Sequence, residues 1–325
     1  MRNILITLDY ELFFLESGSV EKCIIEPTEK LLSILDKHNI KASFFVDSGY
    51  IIKLKEYMQS FEVLKKDYDL ITQQIKKLST QGHDIELHIH PHWEDSIYNG
   101  KEWVFDISRY KLSNFSGNEI DGIVKRYSEI LESLTDHKPT VFRAGGWCIQ
   151  PFDIMANALY KYGIRVDSTL FPEGKTFTPA KSFDFTNTPI KNNWRFSEDP
   201  LIEVENGDFL EIPISSVLTT PFFYFKFILN KFFGGKMQKA YGDGSAISNS
   251  KKHIFELLLK SSSSVASIDG YKASLLNKCA KQNKEQLVLI GHPKAFSPFS
   301  LKELDSFINK RRIDSVFKTY YNYNE

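Results

Sequence analysis

The segment Asn3-Ile4-Leu5-Ile6-Thr7-Leu8, near the start of the chain, is a nearly continuous apolar run. Such a run is typical of a strand that is buried on both faces, as strands of a parallel sheet are. Pro27 to Lys37 follows it with leucine and isoleucine residues at helical spacing. A strand followed by a helix is the repeating unit of an α/β fold.

The same alternation continues to the end of the chain. The further predicted strands are Ala42 to Val46, Asp84 to Ile89, Val141-Phe142, Ile164 to Val166, Phe209 to Ile214 and Leu287 to Ile290. The further predicted helices are Tyr68 to Leu78, Ile120 to Leu134, Pro151 to Tyr162, Leu275 to Gln282 and Leu301 to Lys310. This order predicts an α/β fold, a distorted (β/α) barrel of about seven parallel strands that forms one domain over residues 1–325. We expect an irregular excursion around 171–207 and a less regular insertion around 217–285.

Composition excludes several classes of protein. The 325 residues carry 41 Lys and Arg against 41 Asp and Glu, so no net charge favours nucleic acid. Hydrophobic residues at 42% and charged residues at 25% are ordinary globular values. No apolar run reaches the roughly 18 residues of a membrane-spanning helix, and the first residues do not resemble a secretory signal. Together with three scattered cysteines, these features lead us to expect a cytoplasmic protein.

Four of the 8 histidines fall within ten residues, at His83, His88, His90 and His92. Each imidazole needs hydrogen-bond partners or a metal ion, so a cluster indicates a use. His88 and His92 are four apart and could meet one metal if the chain turns at Pro91. In a straight strand, His88 and His90 would share a face instead.

Polar residues also follow other predicted strands, where the loops of a parallel barrel build the site. Asp9 and Glu11 are two apart, so both carboxylates point the same way in an extended chain. One could bind a cation while the other takes a proton, although a helix cap beside a surface acid would give the same pattern.

The remaining candidates each allow two interpretations. Arg143 could form a structural ion pair or orient a catalytic carboxylate. Gly145-Gly146 could make a tight turn or expose N–H groups to an oxyanion. His292 could be a general acid or a capping residue, and Asp167 could hold that imidazole or cap the next turn.

The order and local sequence of these clusters resemble the polysaccharide deacetylase family, the NodB-type carbohydrate esterases. The resemblance spans residues 3 to about 310. It rests on Thr7 to Glu11, Lys41 to Val46, Gly82 to His92, Phe142 to Gly146, Asp167-Ser168, Glu211 to Ile214 and Leu289 to Pro293. The first segment departs from the commoner form with consecutive aspartates, because Tyr10 stands in the second position.

The resemblance implies a role for each motif residue. It implies that Glu11, His88 and His92 hold a divalent metal ion, for which zinc is expected, with His90 as the alternative ligand. It also implies that Asp9 is the general base steadied by Arg143, that a backbone N–H near Gly146 binds the oxyanion, and that His292 is the general acid with Asp167 near it. Tyr10, Trp93 and Trp147 are expected to contact the substrate.

The resemblance further implies a hydrolase that removes an N-acetyl or N-formyl group from an amino sugar. The expected substrate is a precursor of a surface glycan such as O-antigen or capsule, linked to a nucleotide or a lipid. The alternatives are a hydrolase of small non-carbohydrate amides and a non-catalytic glycan-binding relative. Pro221 to Phe233 contains six Phe and Tyr224. A helix buried over the barrel is the favoured interpretation, and contact with the inner face of the membrane is the alternative.

Overall fold

The structure is a computed structural model that describes residues 1–14, 16–178, 180–245 and 251–323. Its strands in chain order are β1 (Arg2–Tyr10), β2 (Ser43–Asp47), β3 (Asp84–Ile89), β4 (Ile97–Tyr98), β5 (Trp103–Val104), β6 (Val141–Ala144), β7 (Val166–Asp167), β8 (Lys175–Phe177), β9 (Ser182–Asp184), β10 (Trp194–Phe196), β11 (Phe209–Glu211), β12 (Ser216–Thr219), β13 (Ser262–Val265), β14 (Gln286–Gly291) and β15 (Ser315–Lys318). Its helices are α1 (Glu26–His38), α2 (Ser48–Tyr57), α3 (Glu62–Thr80), α4 (Gly117–Thr135), α5 (Asp153–Lys161), α6 (Pro221–Phe233), α7 (Gly235–Gln238), α8 (Lys251–Leu259), α9 (Leu276–Gln282) and α10 (Pro298–Arg311).

The chain divides into two compact units, which we call the central unit (residues 43–213) and the terminal unit (residues 1–42 and 214–325). The predicted α/β class with a mainly parallel sheet is confirmed. The expectation of one domain over residues 1–325 stays a prediction beside this division.

The central unit contains the strands β2, β3, β6, β7 and β11, which pair in that order and run parallel. β10 pairs antiparallel with β11 at the edge. The register aligns Asp47 with His88, His88 with Arg143, and Asp167 with Glu211. Polar residues near the carboxyl ends of neighbouring strands are thereby brought side by side.

Helices cover this sheet because their apolar residues recur every three or four positions. In α3 the buried side chains include Leu64, Ile71, Ile75 and Leu78. α4 begins at a capping box in which Ser116 and Glu119 satisfy each other's backbone N–H groups. The stretch around 171–207 is irregular but includes the hairpin of β8 and β9.

The terminal unit contains β1 between β14 and β15, and all three strands run parallel. β12 and β13 form an antiparallel pair. The chain after β13 runs beside β14, where Ile268 donates its N–H to Ile290 at 2.9 Å and Ile290 donates to Ala266 at 3.0 Å. Asp269, the residue after Ile268, therefore lies at the carboxyl end of β14, next to His292.

No helix among the described residues is both long enough and apolar enough to cross a membrane.

Candidate functional site

Two histidine side chains meet at the carboxyl end of β3 in the central unit. His88 Nδ1 lies 2.9 Å from the carbonyl oxygen of Arg143. A carbonyl oxygen only accepts, so Nδ1 carries the proton and Nε2 presents a lone pair. His90 Nε2 lies 3.1 Å from this His88 Nε2, and both residues are buried.

This histidine pair fits a divalent metal ion. Two facing imidazole nitrogens need a proton or a cation between them, and His88 already has its proton on the far side of the ring. A backbone carbonyl that fixes the tautomer in this way is the usual support of a metal-binding histidine. Imidazole nitrogens suit zinc and related transition metals better than magnesium or calcium.

The structure places His90, the alternative ligand, against His88. His90 keeps an extended backbone (φ −107°, ψ 90°), and the chain then enters a helical turn, Pro91–Glu94. That turn carries the ring of His92 into an aromatic cluster, where it lies parallel to Tyr110 and contacts Phe105. The turn at Pro91 is present as predicted, and the ring centres of His92 and His90 lie 5.5 Å apart. The expectation that His92 binds the metal stays a prediction.

Glycines after β6 make room for the histidine pair. A Cβ at Gly145 would lie 2.5 Å from the carbonyl oxygen of Ile89 and 2.7 Å from His90 Nδ1. Gly146 has φ +61°, a left-handed conformation that favours glycine, and its Cβ would clash with Tyr110. Gly145 is therefore required by the close approach of the β3 and β6 loops, and Gly146 by its own backbone conformation and by the ring of Tyr110.

Arg143 is buried and supports the loop that follows β7. Its Nε donates to the Ser168 carbonyl oxygen at 2.7 Å, and its guanidinium stacks on Phe45 at 3.9 Å. The expected contact of Arg143 with Asp9 stays a prediction.

Asp167 is held by residues of its own unit, and the expectation that it lies near His292 stays a prediction. It is buried in the central unit, where Thr169 donates to it through both its backbone N–H and its hydroxyl. Burial raises the pKa of Asp167, and burial together with the charge of Asp167 raises the pKa of Glu211 still further from its ordinary range. The neutral form of Glu211 is therefore favoured beside Asp167, at the paired ends of β11 and β7.

Two of the three expected substrate contacts are buried elsewhere. Trp93 is only 2% exposed, and its indole N–H donates to Asp47 at 2.7 Å. Tyr10 is also buried, and its pKa is raised by burial and then by Glu29 of α1, which places it on the helix side of β1. Of these three residues, only Trp147 is partly exposed. It lies in the loop after β6, and its ring packs against Phe171.

In the terminal unit, His292 is held by Asp269. His292 Nδ1 lies 2.7 Å from Asp269 Oδ2, and the His292 backbone N–H donates to Oδ1 at 2.8 Å. Burial disfavours the charged imidazole, but the carboxylates of Asp269 and Asp9 outweigh it and raise the pKa of His292 to about 10. His292 is therefore an imidazolium at neutral pH and can donate a proton.

Asp9 and Glu11 both face this imidazolium. Asp9 Oδ2 lies 3.5 Å and Glu11 Oε1 lies 3.8 Å from His292 Nε2. Lys294 Nζ donates to Glu11 Oε1 at 2.9 Å, and both side chains are buried. At the ends of β1 and β14 the terminal unit thus supplies three carboxylates and two basic groups, namely Asp9, Glu11, Asp269, His292 and Lys294.

Asp269 and Lys294 are functional candidates that the sequence analysis did not predict. Asp269 lies in the stretch treated as a less regular insertion, and the short apolar run Ala266-Ser267-Ile268 before it was the available signal. Lys294 directly follows the motif His292-Pro293, so its position beside a recognised motif could have identified it.

Residues 17–165 match the family model described as polysaccharide deacetylase. The match agrees with the predicted family resemblance over this segment, which contains the motifs Lys41 to Val46, Gly82 to His92 and Phe142 to Gly146. No curated protein sequence matches the chain.

Solved structures of known proteins resemble the whole chain. The Puue allantoinase is 12% identical, with 98% of this chain and 88% of that chain covered and a TM-score of 0.50. The polysaccharide deacetylase Bc1974 from Bacillus cereus is 12% identical, with 100% and 95% covered and a TM-score of 0.45. A family 4 acetyl xylan esterase from Clostridium thermocellum, solved with a cobalt ion, is 12% identical, with 98% and 89% covered and a TM-score of 0.41. At this identity, the similarity to the allantoinase shows a shared fold and nothing finer.

Proposed function

We propose that the protein is a metal-dependent hydrolase that removes an N-acetyl or N-formyl group from an amino sugar. The observation that carries the proposal is the His88 and His90 pair, whose Nε2 atoms lie 3.1 Å apart with the His88 proton fixed on Nδ1. The match of residues 17–165 to polysaccharide deacetylases supports the same chemistry.

We propose that His88 and His90 are protein ligands of this metal ion, and that Glu11 is the third ligand, as the motif resemblance implies. All three side chains are buried. Two imidazoles and one carboxylate are a donor set of catalytic zinc sites, which leave a position open for water or substrate. When bound, the ion would polarise the acyl carbonyl and lower the pKa of a water molecule.

The side chains of the terminal unit would move the protons. Asp9 would accept a proton from the attacking water, as its carboxylate form allows. His292 is positively charged because of Asp269 and Asp9, so it would give its proton to the departing amine. Asp269 would keep the imidazole oriented through both of its oxygens.

The central unit would contribute charge stabilisation. The loop after β6 bends sharply at Gly146, and we propose that a backbone N–H of this loop binds the developing oxyanion. Trp147 is a partly exposed aromatic side chain of the same loop and is suited to stack on a sugar ring. Arg143 is proposed to steady Asp9.

The proposed substrate is a precursor of a surface glycan, such as O-antigen or capsule, that is linked to a nucleotide or a lipid. This choice follows from the expectation of a cytoplasmic enzyme, which would meet precursors and not the finished polymer. Zinc is the proposed metal, given the nitrogen ligands.

The test combines elemental analysis of the purified protein with acetate and formate release from N-acylated amino sugars. We expect bound zinc, and we expect Asp9→Asn to keep the metal while losing about 10²-fold to 10⁴-fold in kcat. Asp106→Asn changes an exposed aspartate and serves as the matched control. Release of ammonia from small amides without acetate release would favour the amide-hydrolase alternative. Sugar binding by a protein that takes up no metal would favour the non-catalytic alternative.

A further inference from the structure

Helix α6 of the terminal unit exposes an unusual number of aromatic side chains. The exposed fractions are 64% for Phe222, 53% for Phe225, 73% for Phe232 and 82% for Phe233. We define the α6–α8 surface as these four residues together with Leu229, Met237, Phe255 and Leu259, which are also exposed. Contiguous apolar area of this kind marks a binding surface in most soluble proteins.

The interpretation of α6 as a helix buried over the barrel is wrong for the described side chains. Phe223 is the buried one, and its ring lies parallel to Tyr271 at 5.7 Å. Tyr224 adds a hydroxyl contact to Thr219 at 3.1 Å. One edge therefore fixes α6 to the terminal unit, while its large apolar residues face outward.

The charge of the α6 and α7 part of this surface has one sign, while Glu256 of α8 and Lys260 directly after it are also exposed. Residues 221–241 contain Lys226, Lys231, Lys236 and Lys239 and no Asp or Glu. Lys226 Nζ lies 4.5 Å from the ring centre of Phe222, so cationic and aromatic groups are interleaved. In a chain with zero net charge, this excess is local.

We propose that the α6–α8 surface docks onto a membrane that contains anionic lipid. Aromatic side chains favour the boundary between lipid headgroups and acyl chains, and lysines nearby are attracted to anionic headgroups. An interfacial helix needs an apolar face and a basic polar face, but it need not be long enough to span the bilayer. α6 has the exposed aromatic side chains, and its basic residues are Lys226, which lies over Phe222, and Lys231.

The α6–α8 surface is linked through Tyr271 to the pair of Asp269 and His292. Tyr271, which stacks on Phe223, lies two residues after Asp269, the partner of His292. Docking through α6 would therefore hold these residues close to the membrane surface. Resting on the proposed function, this placement selects a lipid-linked amino sugar over a nucleotide-linked one.

The experiment measures flotation of the full-length protein with vesicles of phosphatidylcholine, with and without phosphatidylglycerol. We expect binding to the vesicles that contain phosphatidylglycerol and weakening by salt, because the lysine contribution is screened. The triple change Phe225→Ser, Phe232→Ser, Phe233→Ser and the double change Lys226→Gln, Lys231→Gln should each reduce binding about tenfold or more. Ile190→Ser removes a fully exposed apolar side chain of the central unit and is the control.

Two outcomes would overturn the docking proposal. One is an absence of flotation with either vesicle. The other is a dimer in solution that the triple change abolishes, since the surface would then bind a second copy of the chain. Acyl release from a water-soluble amino sugar, measured in the same variants, tests the proposed function separately.

Discussion

Asp269 contacts His292 through both of its carboxylate oxygens. One oxygen lies 2.7 Å from the ring Nδ1, and the other accepts the backbone N–H at 2.8 Å. Asp269→Asn removes the negative charge that stabilises the imidazolium. We expect kcat/KM to fall by about 10²-fold to 10⁴-fold. The pH at which activity is lost through deprotonation of His292 should move downward. The measurement is kcat/KM against pH at constant metal content.

Asp167→Asn is the control for this prediction, because the motif resemblance placed Asp167 near His292. Asp167 bonds to Thr169 in the central unit. The assignment of Asp269 as the partner of His292 fails if Asp167→Asn shifts the alkaline limb of the pH profile of kcat/KM and Asp269→Asn does not.

His90 and His92 should respond differently to replacement. His90→Ala removes one of two facing nitrogens, so zinc affinity should fall at least about 10-fold to 100-fold. His92→Ala removes a ring from an aromatic cluster, so the free energy of unfolding should fall by about 2 kcal/mol with zinc retained. Zinc titration and urea unfolding of both variants check the prediction. Loss of zinc in His92→Ala alone would restore the original assignment of the ligands.

Gly145→Ala should weaken metal binding without touching a ligand. The added Cβ would push on His90 Nδ1 and on the Ile89 carbonyl oxygen, so the ring of His90 must move. We expect zinc affinity to fall about tenfold. Gly117→Ala, where a Cβ meets nothing within 4 Å, should leave it unchanged. Equal affinities in the two variants would show that the approach at Gly145 is not required.

Lys294→Met should destabilise the protein when zinc has been removed by a chelator. Glu11 would then be a buried carboxylate without its 2.9 Å partner, which costs about 3–5 kcal/mol. Adding the change Glu11→Gln should recover most of this loss, and a double-mutant cycle measures the coupling. Additive effects of the two changes would contradict a direct Lys294 and Glu11 interaction.

Glu86 should make stability depend on pH. Burial, with a smaller effect of Asp84, raises the pKa of Glu86 from 4.5 to about 8. The folded protein therefore keeps a proton that the unfolded chain releases, and stability falls as the pH rises from about 4.5 to about 8. Glu86→Gln cannot ionise but keeps an acceptor for the N–H groups of Thr140 and Val141.

We expect Glu86→Gln to remove this decline and to be more stable at pH 9 by on the order of 3 kcal/mol. Urea unfolding at several pH values provides the measurement. A variant with the same pH slope as the original protein would show that Glu86 does not titrate in this range.

Periodicity was sufficient to predict the parallel strands other than β15 and most helices of both units. The apolar run from Asn3 predicted β1, and the spacing of Ile120 to Leu134 predicted α4. It missed α2, whose residues Ser48-Gly49 open the helix without a capping signal. β15 was also missed, because Ser315–Lys318 is too short for an alternation to be recognised.

Candidate residues such as Asp9 and His88 could be proposed from the sequence, because an acid or a histidine directly after a predicted strand is itself the signal. Residues whose position depends on contacts with distant parts of the chain could not be placed in this way. His90 stays beside His88 because Gly145, on another strand, leaves space for its ring. Trp93 is buried because Asp47 accepts its indole N–H. Asp269 reaches His292 through an irregular segment that pairs with β14, which no periodic pattern reveals.

The burial of the tryptophans makes the loop after β6 observable by fluorescence. Of the four indoles, Trp93, Trp103 and Trp194 are buried, and Trp147 alone is accessible to a quencher in water. Lys181 Nζ lies 4.4 Å from the centre of that ring. Iodide should therefore quench this emission more strongly than caesium, and a sugar that covers Trp147 should protect it from both.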